Sequence, residues 1–572
     1  MPTKHQHFRC LSFKLSVELL VLWCLMASWT GQLLADSEPE VASRSLDSIE
    51  TAVDSGGANS GETNAEPASV ASTIEALIAQ LGAPEYAERE QAETKLLNLG
   101  SIAYDALHAA AKDHEDIEIR LRSRHLMRLL RSRWIMEGNL PDVRDVLRGY
   151  SQLNAAKRKM RMAELMKLED YRGVPALCKI AKFEESEELS EFAVLALVSE
   201  ELDPDPSSVS GLLEAIDSEL GTIERQSVQW LRNYVKTIRH YLTALSLRAT
   251  GEDFAEEVVA AKEGMSSGPV RAEPHFSLAQ WLDDHGLFAG AEHEYRETIR
   301  IAPNGSLYKL WPIYLATEML HDQQLDRKAG DLLKQGADLL KTDPGFEKLS
   351  AGPLRRPIEE TRSRMHYFYA CDYLAMGNVE AHVNELEKGL ESCPTDADVL
   401  IAALRAASTK EQQKRISELI DAAVKYFRER IAQAENNLQS AEDRDDKRDF
   451  ERMLATEHNQ LAWLVANSQG CFRDALASSQ KSLELRPDEA GYLDTLSHCY
   501  FALEDFENAV KYQRRAVELE PHTGQIARAL ATFEKSLAQA KSAADEDAPS
   551  VPVLKVPVPK IIIPKSEAQD GR

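Results

Sequence analysis

Three glycines each stand 17 residues before a proline: Gly286 and Pro303, Gly377 and Pro394, Gly470 and Pro487. A further proline, Pro521, follows Pro487 by 34 residues. Glycine takes the left-handed backbone that ends a helix, and an interior proline breaks one at a cost of about 3 kcal/mol. Each glycine–proline interval therefore holds one helix, and the 34-residue period holds a helix and its partner. Ala279 and Ala475 fall where two antiparallel helices must approach closely. A leucine there would overpack the contact, typically by about 1–3 kcal/mol. Such a pair cannot bury its own apolar face and has to stack on the next. The period thus predicts an all-α chain organised as an α-solenoid.

The residues inside the period sharpen this reading. From Gly491 to Pro521 run Leu496-Ser497-x-x-Tyr500, Phe506-x-x-Ala509, Ala516 and Pro521. The interval ending at Pro487 has Leu461-Ala462, Gly470, Phe472 and Ala475. The one ending at Pro303 has Leu278-Ala279-x-x-Leu282, Gly286, Phe288, Ala291 and Tyr295, and the one ending at Pro394 has Tyr369-Ala370-x-x-Tyr373, Gly377 and Leu386. These segments resemble tetratricopeptide repeats over 455–535, 272–305, 237–270 and 365–396. The resemblance is irregular: Glu504 replaces a turn glycine, Ser479 and Gln513 replace bulky residues, and His382 and Gly389 stand where small packing residues are expected. It implies a concave face built from the first helix of each repeat and used to bind a protein or peptide. Phe276, Gln280, Trp463, Asp494, His498 and Phe501 are the expected groove residues. Acids and aromatics outnumber bases there, which disfavours a clamp for a peptide carboxylate and suits an apolar or basic segment.

The N-terminal third carries a different period. Arg89-x-x-Ala92-x-x-x-Leu96 recurs 31 residues later as Arg120-x-x-Ser123-x-x-x-Met127, each after a short acidic turn. This stretch resembles HEAT-type helix pairs. The resemblance implies that Arg89 and Arg120 tie one repeat to its neighbour. The arginine cluster at 120, 122, 124, 128, 131 and 133 reads as a solvated face paired with nearby acids.

The expected organisation follows. Residues 1–35 form an export signal or an N-terminal anchor. Lys4, Arg9 and Lys14 precede the apolar run Leu19 to Ala27, which is short for a span of about 20 residues. Residues 36–70 are a Ser-, Glu- and Gly-rich linker. HEAT-like pairs occupy 71–135 and a helical region of degenerate repeats 136–236. Irregular tetratricopeptide-like repeats cover 237–408. A long helical hairpin with a coiled-coil-like apolar stripe covers 409–456, either as a projecting arm or as an elongated repeat. Tetratricopeptide repeats fill 457–540. A Pro-rich tail, disordered or extended, completes 541–572. Five cysteines follow residue 35, too few for a dense disulfide framework, and read as buried thiols, although Cys371 and Cys393 could pair.

Charge and motifs bound the function. Ninety-three acidic residues against 67 basic ones give a net charge of −26, which disfavours nucleic-acid binding. There is no Gly-rich phosphate loop and no CxxC pair. His293-Glu294 lacks a second histidine four residues on, because Glu297 stands there. His458, His498 and Cys499 read as packing residues. The chain is therefore expected to be no enzyme and to need no metal or cofactor. It is expected to be an exported scaffold, periplasmic or extracellular, binding a protein partner and touching a membrane only through an uncleaved anchor. A self-assembling envelope protein is the alternative, with polysaccharide binding a weaker one.

Overall fold

A computed structural model describes residues 67–132, 134–135, 139–198, 202–221, 223–264, 271–342, 346 and 357–546. The expected signal or anchor, all but the end of the linker, and the tail from 547 lie outside the described residues. Among the described residues every regular element is a helix, as the period requires. The chain divides into two compact units, one formed within 67–193 with 215–224, the other within 194–214 with 225–546.

The first unit contains α1 (Pro67–Gln80), α2 (Tyr86–Leu99), α3 (Tyr104–Asp113), α4 (Ile117–Ser132), α5 (Pro141–Leu147), α6 (Ala155–Met166) and α7 (Val174–Phe183). The helices α8 (Glu187–Val198) and α9 (Pro206–Leu220) run across the boundary. Leu77, Leu81, Leu96, Leu107, Leu126 and Leu130 share one core. The first helix starts at Pro67, inside the range expected to be linker, because proline suits a first helical position and Ile74, Leu77 and Ile78 give its core face.

The repeated arginines act locally. Arg89 Nη1 donates to the carbonyls of Ala83 and Pro84 at 2.7 and 2.8 Å. Arg120 Nη1 donates to those of His114 and Glu115. Each thus ties up the turn before its own helix, which corrects the expected link between neighbours. The device continues beyond the recognised period. Arg144 Nε donates to Asn139 O at 2.8 Å, and Arg158 Nε to Leu153 O at 3.0 Å. All four arginines are the fourth residue of their helix.

The second unit is a succession of antiparallel pairs. These are α10/α11 (Gln226–Thr250, Ala255–Gly264), α12/α13 (Ala272–Asp284, Phe288–Ile301) and α14/α15 (Leu307–Asp322, Asp326–Thr342). Then come α16/α17 (Ile358–Ala375, Val379–Ser392) and α18/α19 (Ala397–Ala406, Lys410–Ser440). The pairs α20/α21 (Arg444–Ala466, Phe472–Leu485) and α22/α23 (Ala490–Ala502, Phe506–Leu519) precede a closing helix, α24 (Gly524–Glu546). The long hairpin is an elongated part of this array. Ile416, Ile420, Phe427 and Ile431 of α19 share a core with Leu454, Leu461 and Ala462 of α20. Its second arm continues to Ala466 as the first helix of the next pair, since no glycine or proline interrupts it before Gly470. Likewise α24 runs through 541–546, expected to be tail, because the first proline comes only at Pro549.

The irregular positions have local solutions. Glu504 takes φ 60° at its turn, the left-handed value a glycine would take more cheaply. Buried His382 donates from Nδ1 to Ala370 O at 2.8 Å. A β-carbon on Gly389 would lie 3.1 Å from Val399 Cγ1, so glycine is what lets α17 approach α18 this closely.

Candidate protein-binding face

The first helices of consecutive pairs present one side to one another, and their side chains form a continuous row. Arg364 of α16 donates from Nη2 to Glu318 of α14 at 2.8 Å and from Nη1 to Asp398 of α18. Trp463 of α20 donates from Nε1 to the other oxygen of Asp398 at 2.8 Å. The Trp463 ring meets His498 of α22 edge-on at 4.8 Å, and His498 meets Phe533 of α24 at 5.0 Å. The guanidinium of Arg364 also lies 5.1 Å from the Tyr367 ring centre and 5.0 Å from that of Phe368, within cation–π range. Glu318, Arg364 and Asp398 keep 41, 21 and 28% of their side-chain surface exposed. Their charges are satisfied while part of each still faces solvent.

The six expected groove residues fare differently. Phe276 is buried against Tyr295 and Tyr308 and offers no surface. Gln280 is partly exposed on α12. Trp463 is a member of the row. Asp494 is held by Gln513, whose Nε2 donates to it at 2.5 Å and to Ile526 O at 2.9 Å, while Ser497 donates to Gln513 Oε1. Burial pushes the Asp494 carboxyl up to about 6, and its bond to Gln513 ties it to the paired helix. Burial likewise holds the His498 imidazole down, at about 4. Phe501 stacks on Phe533 at 4.5 Å. The expected groove is thus covered at this end by α24, whose Phe533 the repeat period did not assign. Glu318, Arg364 and Asp398 were not anticipated; their signal is that each lies on a first helix on the side facing its neighbour.

The array also closes on itself. Arg248 at the end of α10 donates to His285 O at 2.8 Å and to His522 Nδ1 at 3.3 Å. The backbone N–H of Gln525 donates to Asp322 Oδ1 at 3.2 Å, and Arg528 to Asp322 O at 3.1 Å. Burial pushes the Asp283 carboxyl up to about 8, and the neighbouring acids Asp284, Asp322 and Glu520 act in the same direction. Gly286, in the left-handed region at φ 69°, sits directly under Arg248 and His522.

The described cysteines 178, 371, 393, 471 and 499 are free thiols, so Cys371 and Cys393 do not pair. No described helix is long and apolar enough to cross a membrane.

The chain is an all-α helical-repeat protein by this geometry, and comparison with known proteins locates one repeat outright. Residues 490–523, which are α22, α23 and the turn after them, match the tetratricopeptide repeat family. Two solved structures are similar in part. The yeast Tom70 crystal structure shares 13% identity over 83% of this chain and 88% of its own, at a TM-score of 0.25. The tetratricopeptide domain of P58(IPK) shares 13% identity over 79% of this chain and 98% of its own, at a TM-score of 0.17. No curated protein matches the sequence.

Proposed function

We propose that the chain is an exported protein-binding scaffold whose docking surface is the first-helix face running from Glu318 to Trp463. The observation that carries this reading is the row Glu318–Arg364–Asp398–Trp463. Four successive repeats hold charged and aromatic groups in place while leaving them partly exposed. Groups fixed before binding lose little freedom on binding, which favours recognition. Two carboxylates against one guanidinium suit a segment that carries basic and apolar side chains. Export rests on the basic and apolar N-terminal sequence.

The test starts with affinity capture by a tagged 36–572 protein from envelope extract, followed by calorimetry on the captured partner. Glu318→Gln should weaken binding about fivefold or more and reduce its salt dependence, and Trp463→Ala should weaken it further. Unchanged affinity in both, with folding intact, refutes this face. Self-assembly is favoured by one feature, the exposed Leu374, Met376 and Val379 at the α16–α17 turn. Mass that rises with concentration in light scattering would support it.

A further inference from the structure

His321 is the second-last residue of α14 and Asp326 the first of α15. The turn between them is tight: Gln324 takes φ 62°, its N–H donates to His321 O at 2.8 Å, and Leu325 N–H donates to Leu320 O at 2.9 Å. That turn brings the His321 imidazole and the Asp326 carboxylate into direct hydrogen-bond contact through Nδ1 and Oδ1. Both side chains are largely buried, at 10 and 11% exposure. The following repeat adds Cys371 from α16. One ligand atom from each residue, a nitrogen, an oxygen and a sulfur, lies within 4.8 Å of the others. Among the described residues this is the one trio of His, Cys, Asp or Glu gathered so closely. The rings of Tyr367 and Phe368 pack on His321 at 5.6 and 4.9 Å and fix its plane.

We propose that His321, Asp326 and Cys371 form a binding site for a zinc-class divalent ion. Thiolate, imidazole and carboxylate together suit a borderline-soft ion, whereas magnesium and calcium take oxygen ligands. Metal–ligand bonds of about 2.0–2.3 Å set tetrahedral ligand atoms about 3.3–3.6 Å apart. Reaching that spacing asks the His321–Asp326 pair to open by about 1 Å around the ion, which takes the place of their shared proton. The thiol swings in by a similar amount and releases its proton on binding. Cys371 is half-buried, so the ion arrives from the thiol side, and a water completes the fourth position there. The ion would clasp the α14–α15 turn to the next repeat, beside the Arg364 row.

The full chain, stripped with a chelator, is titrated with Co2+ as a spectroscopic probe and then with Zn2+. The expected result is one equivalent of tetrahedral cobalt with a thiolate-to-metal charge-transfer band, displaced by zinc. Cys371→Ser should abolish that band and weaken zinc binding at least about tenfold, the scale on which even outer-shell changes act. Asp326→Asn should weaken binding and keep the band. Cys471→Ser, at an exposed thiol, should change neither. A wild-type chain that shows no one-equivalent thiolate band overturns the proposal without recourse to any variant. So does a band that survives in Cys371→Ser with helical content intact by circular dichroism.

Discussion

Asp283 offers the sharpest test of how the array closes. Its carboxyl accepts from the Tyr295 hydroxyl at 3.4 Å and is pushed up to about 8, first by burial and then by Asp284, Asp322 and Glu520. An aspartate in the unfolded chain titrates near 3.9. Between those two values the folded state holds a proton that the unfolded state has lost, so stability falls as pH rises and levels off above about 8. Asp283→Asn removes that dependence while keeping an oxygen to accept from Tyr295. At about 1.4 kcal/mol per pH unit, the interval sets a ceiling near 6 kcal/mol. Asp283 is partly exposed, and solvent reduces the effect to about 2–3 kcal/mol. The expected outcome is equal thermal midpoints for both proteins near pH 4 and an advantage for Asp283→Asn that widens by several degrees up to pH 8. A constant gap across pH, or a lower midpoint for the variant at pH 9, would refute the reading of Asp283 as a buried carboxyl that holds its proton in the folded state.

Four further outcomes follow from the same contacts. Gly286→Val places a β-carbon 2.6 Å from Arg248 Nη1 and 2.9 Å from the His522 ring at a left-handed backbone position. It should cost about 2 kcal/mol or more in denaturant unfolding and should expose the Gln525 amide, which donates to Asp322, to hydrogen exchange. Gln513→Leu leaves the Asp494 carboxyl and Ile526 carbonyl without their donor, a loss of about 1–3 kcal/mol in urea titration. Arg158→Ala removes the Arg158 partner of Glu184, only 2% exposed, while Tyr150 still donates to it at 3.1 Å. That should destabilise by about 3 kcal/mol, read by thermal melting, and Glu184→Gln in the same background should recover part of it. Trp463→Phe keeps the ring against His498 but loses the donor to Asp398, a cost of about 1.5–3 kcal/mol by chemical denaturation.

How much of this was legible depends on whether a residue's role is set by its own helix or by the next one. Gly286, Gly377 and Gly470 mark helix ends by backbone alone, and all three adopt positive φ where the spacing required it. The pair α14/α15 escaped the period because its turn uses Gln324 at φ 62° in place of glycine and its first helix carries Pro312. Arg89 and Arg120 were visible as a repeat, but their partners were misjudged, because a side chain six atoms long can reach either the preceding turn or a neighbouring repeat. The groove suffered most. Phe276, Asp494, His498 and Phe501 were placed on the correct helices, yet whether each faces solvent was decided by Tyr308, Gln513 and Phe533. Tyr308 and Phe533 come from adjoining repeats and Gln513 from the paired helix, so helical periodicity could not anticipate the contacts. The same reasoning explains why the Glu318–Arg364–Asp398 row went unseen. Each residue alone reads as an ordinary solvated charge, and only the stacking of three first helices turns them into one connected group. A repeat period fixes which side of a helix is inward; the register between repeats fixes what an inward residue meets, and that register is written in long-range contacts such as Arg364 to Asp398 and Arg528 to Asp322.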